Sequence, residues 1–338
     1  MARYEDRNST RPHRNRKKKP GVFAFIFLML SCIAALLVFG WYFYMSMGDG
    51  IPGDLDLNGG EPVPQATGIG EITADVEAEN VCVAELESET ALFQKNAEER
   101  IAPASTAKLL TALTVLEYCE PNEVLTIGPE IWQAAADAST AWLSEGDRLT
   151  VRQLLTALLL PSGGDAAYSA AVYTGRKIAG GDISEQQAVA AFIEAMNRKA
   201  SELGAADSSF VTPDGYDADN QYTTAADLMK IAKACTGNET IMGIAGSYSV
   251  YDVWEDGREV NYFNTNLLLD PESACYYPQA IGLKTGSSLS AGSCLISAAR
   301  INGKTYVSVV MGSGEEERFS DTLTLYERIE QESGGRAA

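Results

Sequence analysis

Ser105-Thr106-Ala107-Lys108 sets a hydroxyl and a primary amine three positions apart, and no other Ser-x-x-Lys occurs in the chain. At the start of a helix, residues i and i+3 share a face, so the amine can reach the hydroxyl. A serine hydroxyl is a weak nucleophile. An uncharged lysine can take its proton when burial or a neighbouring cation lowers the lysine pKa. The helix N-terminus adds backbone N–H groups and a positive end-field beside a developing oxyanion. Taken alone, the four residues read more simply as a serine capping a helix with a lysine in its first turn.

Two further segments change that balance. Pro161-Ser162-Gly163-Gly164-Asp165 is a tight turn joining two helical patterns. Its plain role is a helix start capped by Asp165, and its chemical role sets Ser162 beside Lys108 as a proton relay to a leaving group. Lys284-Thr285-Gly286-Ser287 ends a strand-like run. Gly286 lets a substrate backbone approach closely. Lys284 offers a cation to a substrate carboxylate and depresses the Lys108 pKa, and the Thr285 hydroxyl bonds the same carboxylate. The Ser287 N–H pairs with that of Ser105 as an oxyanion hole. By itself this segment is a β-edge lysine followed by a loop. Each segment occurs once, and they fall in order on a helix start, an interhelical turn and a strand end. Together they favour chemistry.

Composition removes the competitors. The 338 residues hold 26 Lys+Arg against 46 Asp+Glu, a net charge of −20, and a single histidine. That histidine is His13, within a basic N-terminal stretch. The rest of the chain therefore cannot build a Ser-His-Asp or Cys-His triad or a His-ligated metal site, and no metal or cofactor is expected. The acidic body is also a poor match for nucleic acid.

After the basic arm (1–20), an apolar run from Val22 to Tyr44 would make a helix of roughly 35 Å, enough to cross a bilayer. Trp41, Tyr42 and Tyr44 close it as an aromatic belt. We read 21–47 as an uncleaved single-pass anchor with a cytoplasmic N-terminus. A cleaved signal peptide fits less well, because the run is long and ends in aromatics. Residues 48–75, rich in Gly, Pro and acids, read as a flexible stalk leading to a catalytic domain over 76–314 and a C-terminal helix and tail over 315–338. Five cysteines lie beyond the anchor without a CxxC pair, and they read as small buried hydrophobes; a Cys275–Cys294 pairing stays open.

The elements that must position the motifs are legible as patterns. Val81–Leu86 and Thr90–Phe93 form a hairpin, and Ala280–Lys284, Cys294–Arg300 and Tyr306–Met311 are late strands. Helical periodicity covers 105–118, 151–160, 165–173, 192–203, 224–234 and 323–331. Strands at both ends with helices between them predict an α+β fold. Its terminal strands share one antiparallel sheet, flanked by helices and a mainly helical subdomain.

With these motifs in place, the sequence resembles the penicillin-recognising serine enzymes, and more closely the low-molecular-mass D-alanyl-D-alanine carboxypeptidases. The likeness extends to Phe93-Gln94-Lys95-Asn96-Ala97 and Ala102-Pro103-Ala104-Ser105. It includes Phe210-Val211-Thr212-Pro213-Asp214-Gly215 with Tyr222-Thr223-Thr224-Ala225, and Val309-Val310-Met311-Gly312. The resemblance implies Ser105 as the acylated nucleophile, Lys108 as its base and Ser162 as the relay. Lys284 and Thr285 would hold the terminal carboxylate, and Ser105 and Ser287 the oxyanion. The implied reaction removes the terminal D-Ala from the peptidoglycan stem pentapeptide, with β-lactams captured covalently. One departure stands out: Gly164 occupies the place of the Asn in the family's Ser-x-Asn motif. A second is the small pair Ser287-Ser288 after the third motif. A serine β-lactamase is the alternative within the enzymes, although no Glu-x-x-Leu-Asn run lies between Ser162 and Lys284. A catalytically weak peptidoglycan-binding scaffold is the alternative outside them.

Overall fold

The computed structural model describes residues 70–88 and 90–334. The basic arm, the expected anchor at 21–47 and most of the expected stalk lie outside these residues. No described helix is long and apolar enough to cross a membrane.

In chain order the described elements begin with β1 (Asn80–Glu85) and β2 (Ala91–Lys95), then α1 (Lys108–Tyr118), β3 (Val124–Thr126) and β4 (Arg148–Thr150). Helices α2 (Val151–Leu159), α3 (Gly164–Ala179), α4 (Glu185–Glu202), α5 (Ala225–Thr236) and α6 (Glu239–Ala245) follow. The chain continues through β5 (Ser249–Val253), β6 (Glu259–Phe263), β7 (Ala280–Ser288), β8 (Gly292–Ile301), β9 (Lys304–Ser313) and α7 (Glu317–Gly334).

The main sheet has the order β2-β1-β9-β8-β7, with every neighbouring pair antiparallel. The α+β expectation holds, with N- and C-terminal strands meeting at the β1–β9 pair. Both faces of this sheet are covered. Cys82, Ala84, Cys294, Ile296, Ala298, Val307, Val309 and Met311 point into a core shared with α1 to α6. The alternate residues Val81, Val83, Leu295, Ala299, Tyr306 and Val310 meet Phe319, Leu325, Tyr326 and Ile329 of α7. Side chains alternate along a strand, so a sheet buried on both sides needs near-continuous apolar runs, as these strands have.

Both ends of the described domain pack against the main sheet. The chain already packs at Ile72, whose N–H donates to Leu92 O at 2.9 Å, so the ordered part begins before Val76. At the other end α7 starts at Glu317 and belongs to the same domain. Its Asp321 carboxylate accepts from Glu77 N at 2.9 Å and Ala78 N at 2.8 Å, clamping the entering chain. The β5–β6 and β3–β4 ribbons are additions that the helical reading did not contain. All five described cysteines are free, so Cys275 and Cys294 are not joined.

Helices α2, α4, α5 and α6 start on side-chain caps, whereas α3 starts after Gly163 without one, so the expected capping by Asp165 is not what the structure shows. Thr150 with Gln153, and Ser184 with Gln187, form reciprocal capping boxes on α2 and α4. Asp165, in the first turn of α3, does more than favour the helix end. Its carboxylate accepts from Ala141 N and Leu143 N, both at 2.9 Å, and from Thr140 Oγ1 at 2.8 Å. It thereby fixes the segment that precedes the site. Replacing it would strand buried N–H groups, each at about 1–3 kcal/mol. Asp165→Ala is therefore expected to lower unfolding free energy by about 3 kcal/mol. Urea denaturation followed by circular dichroism checks this.

Candidate active site

Pro103 leads into a 3-10 turn, Ala104–Ala107, that runs directly into α1. Ser105 therefore stands on the tight turn and Lys108 is the first residue of the α-helix. The expected i, i+3 juxtaposition is met, with Lys108 Nζ 2.7 Å from Ser105 Oγ. The amine also donates to the main-chain oxygen of Asp214 at 2.8 Å. Thr111, one turn further along α1, donates from its hydroxyl to Pro213 O at 2.6 Å. The helix thus holds the 213–214 segment over the lysine. Lys108 is only 2% exposed, whereas Ser105 is half-buried and reaches the cavity.

The cavity measures about 460 Å³, a size suited to a small ligand. Ser105 and Lys108 lie at its floor, Ser139 and Asp137 on one wall, Asp214 to Asp217 on another, and Ser287 to Ser290 on the third. Cross-links hold the walls together. Tyr216 donates from its hydroxyl to Asp137 Oδ1 at 2.8 Å. Ser288 Oγ and Ser290 N donate to the Asp217 carboxylate at 2.7 and 3.0 Å. The small pair Ser287-Ser288 is therefore tied to the opposite loop.

Strand β7 forms the third wall at very short range. A Cβ on Gly286 would stand 3.2 Å from Ser105 N, Ala104 Cβ and Thr106 Cγ2 alike. Glycine here lets the strand lie against the nucleophile turn. Thr285 is buried and its hydroxyl meets that of Thr265 at 2.5 Å. Lys284 is fully buried and donates to Thr285 O at 2.9 Å.

Burial lowers the Lys108 pKa to about 8, while the Asp214 and Asp165 carboxylates oppose the shift. The second amine of this wall is Lys284. Its own pKa is pushed well below the ordinary lysine value, first by burial and then by the Lys108 and Arg318 cations. Two amines so close in one dry wall disfavour a double charge. The cation that persists beside β7 is Arg318, on α7, which donates from Nη1 to Ser287 Oγ at 2.9 Å and Gly286 O at 3.2 Å.

Ser162 is buried in the α2–α3 turn with a left-handed φ of +65°. No hydrogen bond joins it to Lys108 or Ser105, whose amine and hydroxyl bond each other. With Gly286 packed against the Ser105 turn, the structure thus unites Ser105, Lys108 and Ser287 around one cavity. Lys284 and Thr285 stand in its buried wall. Two residues that motif reasoning did not single out, Asp214 and Arg318, also reach the site. Asp214 lies inside a quoted family segment, so a signal existed. Nothing local marks Arg318, because only the docking of α7 brings it to β7.

Chemically, the arrangement supplies a hydroxyl, an amine able to be neutral near pH 8, backbone N–H groups and a guanidinium. That set suits acyl transfer. Comparison with known proteins agrees. The family model for D-alanyl-D-alanine carboxypeptidases matches residues 67–315. D-alanyl-D-alanine carboxypeptidase DacF of Bacillus subtilis is 30% identical over 251 residues, 73% of this chain and 60% of that relative. The chain thus spans about three fifths of the length of that relative. The D-alanyl-D-alanine carboxypeptidase of Streptomyces sp. K15 is 36% identical over 246 residues, 66% of this chain and 77% of the relative. The crystal structure of the Streptomyces K15 DD-transpeptidase superposes with a TM-score of 0.70 at 33% identity, covering 76% of this chain and 99% of that one. Penicillin-binding protein D2 of Listeria monocytogenes, solved with ampicillin bound, gives a TM-score of 0.62 at 27% identity, over 76% of this chain and 98% of that one. With motifs, fold and extent of match in agreement, the chain belongs to the D-alanyl-D-alanine carboxypeptidase family.

Proposed function

We propose that the protein is a serine D,D-carboxypeptidase that removes the terminal D-Ala from peptidoglycan stem pentapeptides through an acyl-enzyme on Ser105. The observation that carries this reading is the 2.7 Å approach of Lys108 Nζ to Ser105 Oγ. Family membership supports the substrate class.

In the reaction, neutral Lys108 takes the Ser105 proton as Oγ bonds the carbonyl carbon of the penultimate D-Ala. The oxyanion is received by the N–H groups of Ser105 and Ser287. Collapse of the adduct breaks the peptide bond, and the proton passes from Lys108, with Ser162 as relay, to the leaving amine. The departing carboxylate is held by Thr285, Lys284 and Arg318. Water then attacks the ester, which releases the shortened peptide and restores the serine hydroxyl. An amine in place of water would give transpeptidation, the activity named for the Streptomyces K15 neighbour. A β-lactam would form the same ester, and the Listeria neighbour is named for that property.

Residues 21–47 serve in this reading as a single-pass membrane anchor, with the N-terminus cytoplasmic, 48–69 as the start of a tether, and the catalytic domain outside the cell. The apolar run after a basic flank supports it.

Full-length protein incubated with a fluorescent penicillin is expected to carry one long-lived label, and Ser105→Ala to carry none. Equal labelling of the alanine variant would reject the nucleophile, and rapid release of hydrolysed penicillin would favour a β-lactamase. Because Lys108 acts only when neutral, the acylation rate should climb with pH and level off above about 8. Stopped-flow labelling between pH 5.5 and 9.5 measures this. Ser162→Gly suits the left-handed backbone, so it should keep the fold while slowing acylation by about 10²-fold or more. Rate and melting temperature read together separate the two effects.

A further inference from the structure

Gly164, at the third position of the Ser162-Gly163-Gly164 turn, has little room for a side chain. A Cβ placed there would lie 3.2 Å from Asp214 Oδ2, 3.3 Å from Ser139 O and 3.4 Å from Ala134 Cβ. Its backbone, at the first position of α3, is not in the left-handed region. The need for glycine is therefore a need for space, and what fills the space is a carboxylate. Asp214 is 2% exposed. Its Oδ1 accepts from Tyr216 N at 3.1 Å, whereas Oδ2, on the Gly164 side, receives no hydrogen bond among the described residues. The same residue's main-chain oxygen accepts from Lys108 Nζ at 2.8 Å.

We propose that Asp214 is a positioning residue for Lys108, its carboxylate seated in the side-chain space that Gly164 leaves open and gripping the amine through main chain and charge together. The inference rests on the Ser105–Lys108 reading above. Position 164 and position 214 compete for one volume, so the departure at Gly164 and the aspartate at 214 are two halves of one arrangement. The groups that face Lys108 are few. Asp214 comes from the loop before α5, Asp165 from α3 and Lys284 from β7, with Arg318 of α7 behind Lys284; Tyr168 of α3 faces Asp214 in turn. Asp214 is the stronger of the two carboxylates opposing the effect of burial on the amine. A negative charge favours the ammonium, so it restrains the lysine from losing its proton too early. Asp214 thereby raises the pH at which Ser105 is activated.

Two measurements on the full chain decide this without needing activity. In the first, lysines carrying ¹³C at Cε are titrated by NMR, with the Lys108 signal identified by its loss in Lys108→Arg. Asp214→Asn keeps the backbone acceptor and removes only the charge, and it should move the Lys108 midpoint downward by about one pH unit. Asp214→Ala should do the same and replaces the amide variant if that one fails to fold. An unmoved midpoint overturns the proposal. In the second, Gly164→Ala should lower the melting temperature in the wild-type background, and at least half that loss should vanish beside Asp214→Ala. Equal losses in both backgrounds overturn the shared volume. The acid limb of penicillin acylation should follow the NMR midpoint to lower pH. Absent labelling in the wild type would sink the Ser105 reading, while the titration would still judge Asp214. Normal labelling with an unmoved midpoint would sink this inference alone.

Discussion

A lysine amine buried against a serine hydroxyl is the contact on which the rest of this molecule depends. Lys108 is 2% exposed, and its pKa falls from 10.5 to about 8. That fall corresponds to about 3 kcal/mol against the ammonium form. Such a group stays inside only if its hydrogen bonds are met and its neighbours hold it in place. The two bonds, to Ser105 Oγ and Asp214 O, tie the amine to its own helix start and to a segment 106 positions away. The chain segment at 213–214 is thus as much a part of the nucleophile as the helix that carries it.

The scaffold answers the same demand. Packing on both faces of the main sheet makes β7 a rigid wall, and glycine at 286 brings that wall against the 3-10 turn. Asp165 pins the 140–143 segment, Asp217 pins the tip of the β7–β8 hairpin, and Tyr216 joins the two loops through Asp137. Fixed donors around a cavity require no reorganisation during reaction, which is where electrostatic stabilisation of an oxyanion is effective. Charge follows an equally local logic. The chain is strongly acidic overall, yet Lys108, Lys284 and Arg318 gather at one site, where burial and mutual repulsion decide which of them carries a proton.

What the sequence made legible was whatever is local. Ser105 and Lys108 are one turn apart, so their meeting follows from helix geometry. The terminal strands are apolar on both faces, so their shared sheet follows from alternation and length. Contacts between distant segments were harder to read. Asp214 reaches Lys108 across 106 positions, and Arg318 meets Ser287 across 31 through the docking of a helix. Burial is the first cause that lowers the pKa of both Lys108 and Lys284, and no motif encodes that depth. The β5–β6 ribbon has a readable signal in Asp256-Gly257 between two short alternating runs, each with one exposed face.

The most direct measurement is penicillin acylation of full-length Lys108→Met, followed beside its thermal melting. Methionine fills nearly the same volume, carries no proton acceptor of comparable strength and removes a buried amine. Melting temperature should be unchanged or higher, with acylation slowed by about 10²- to 10⁴-fold. Labelling at the wild-type rate in that variant would contradict it.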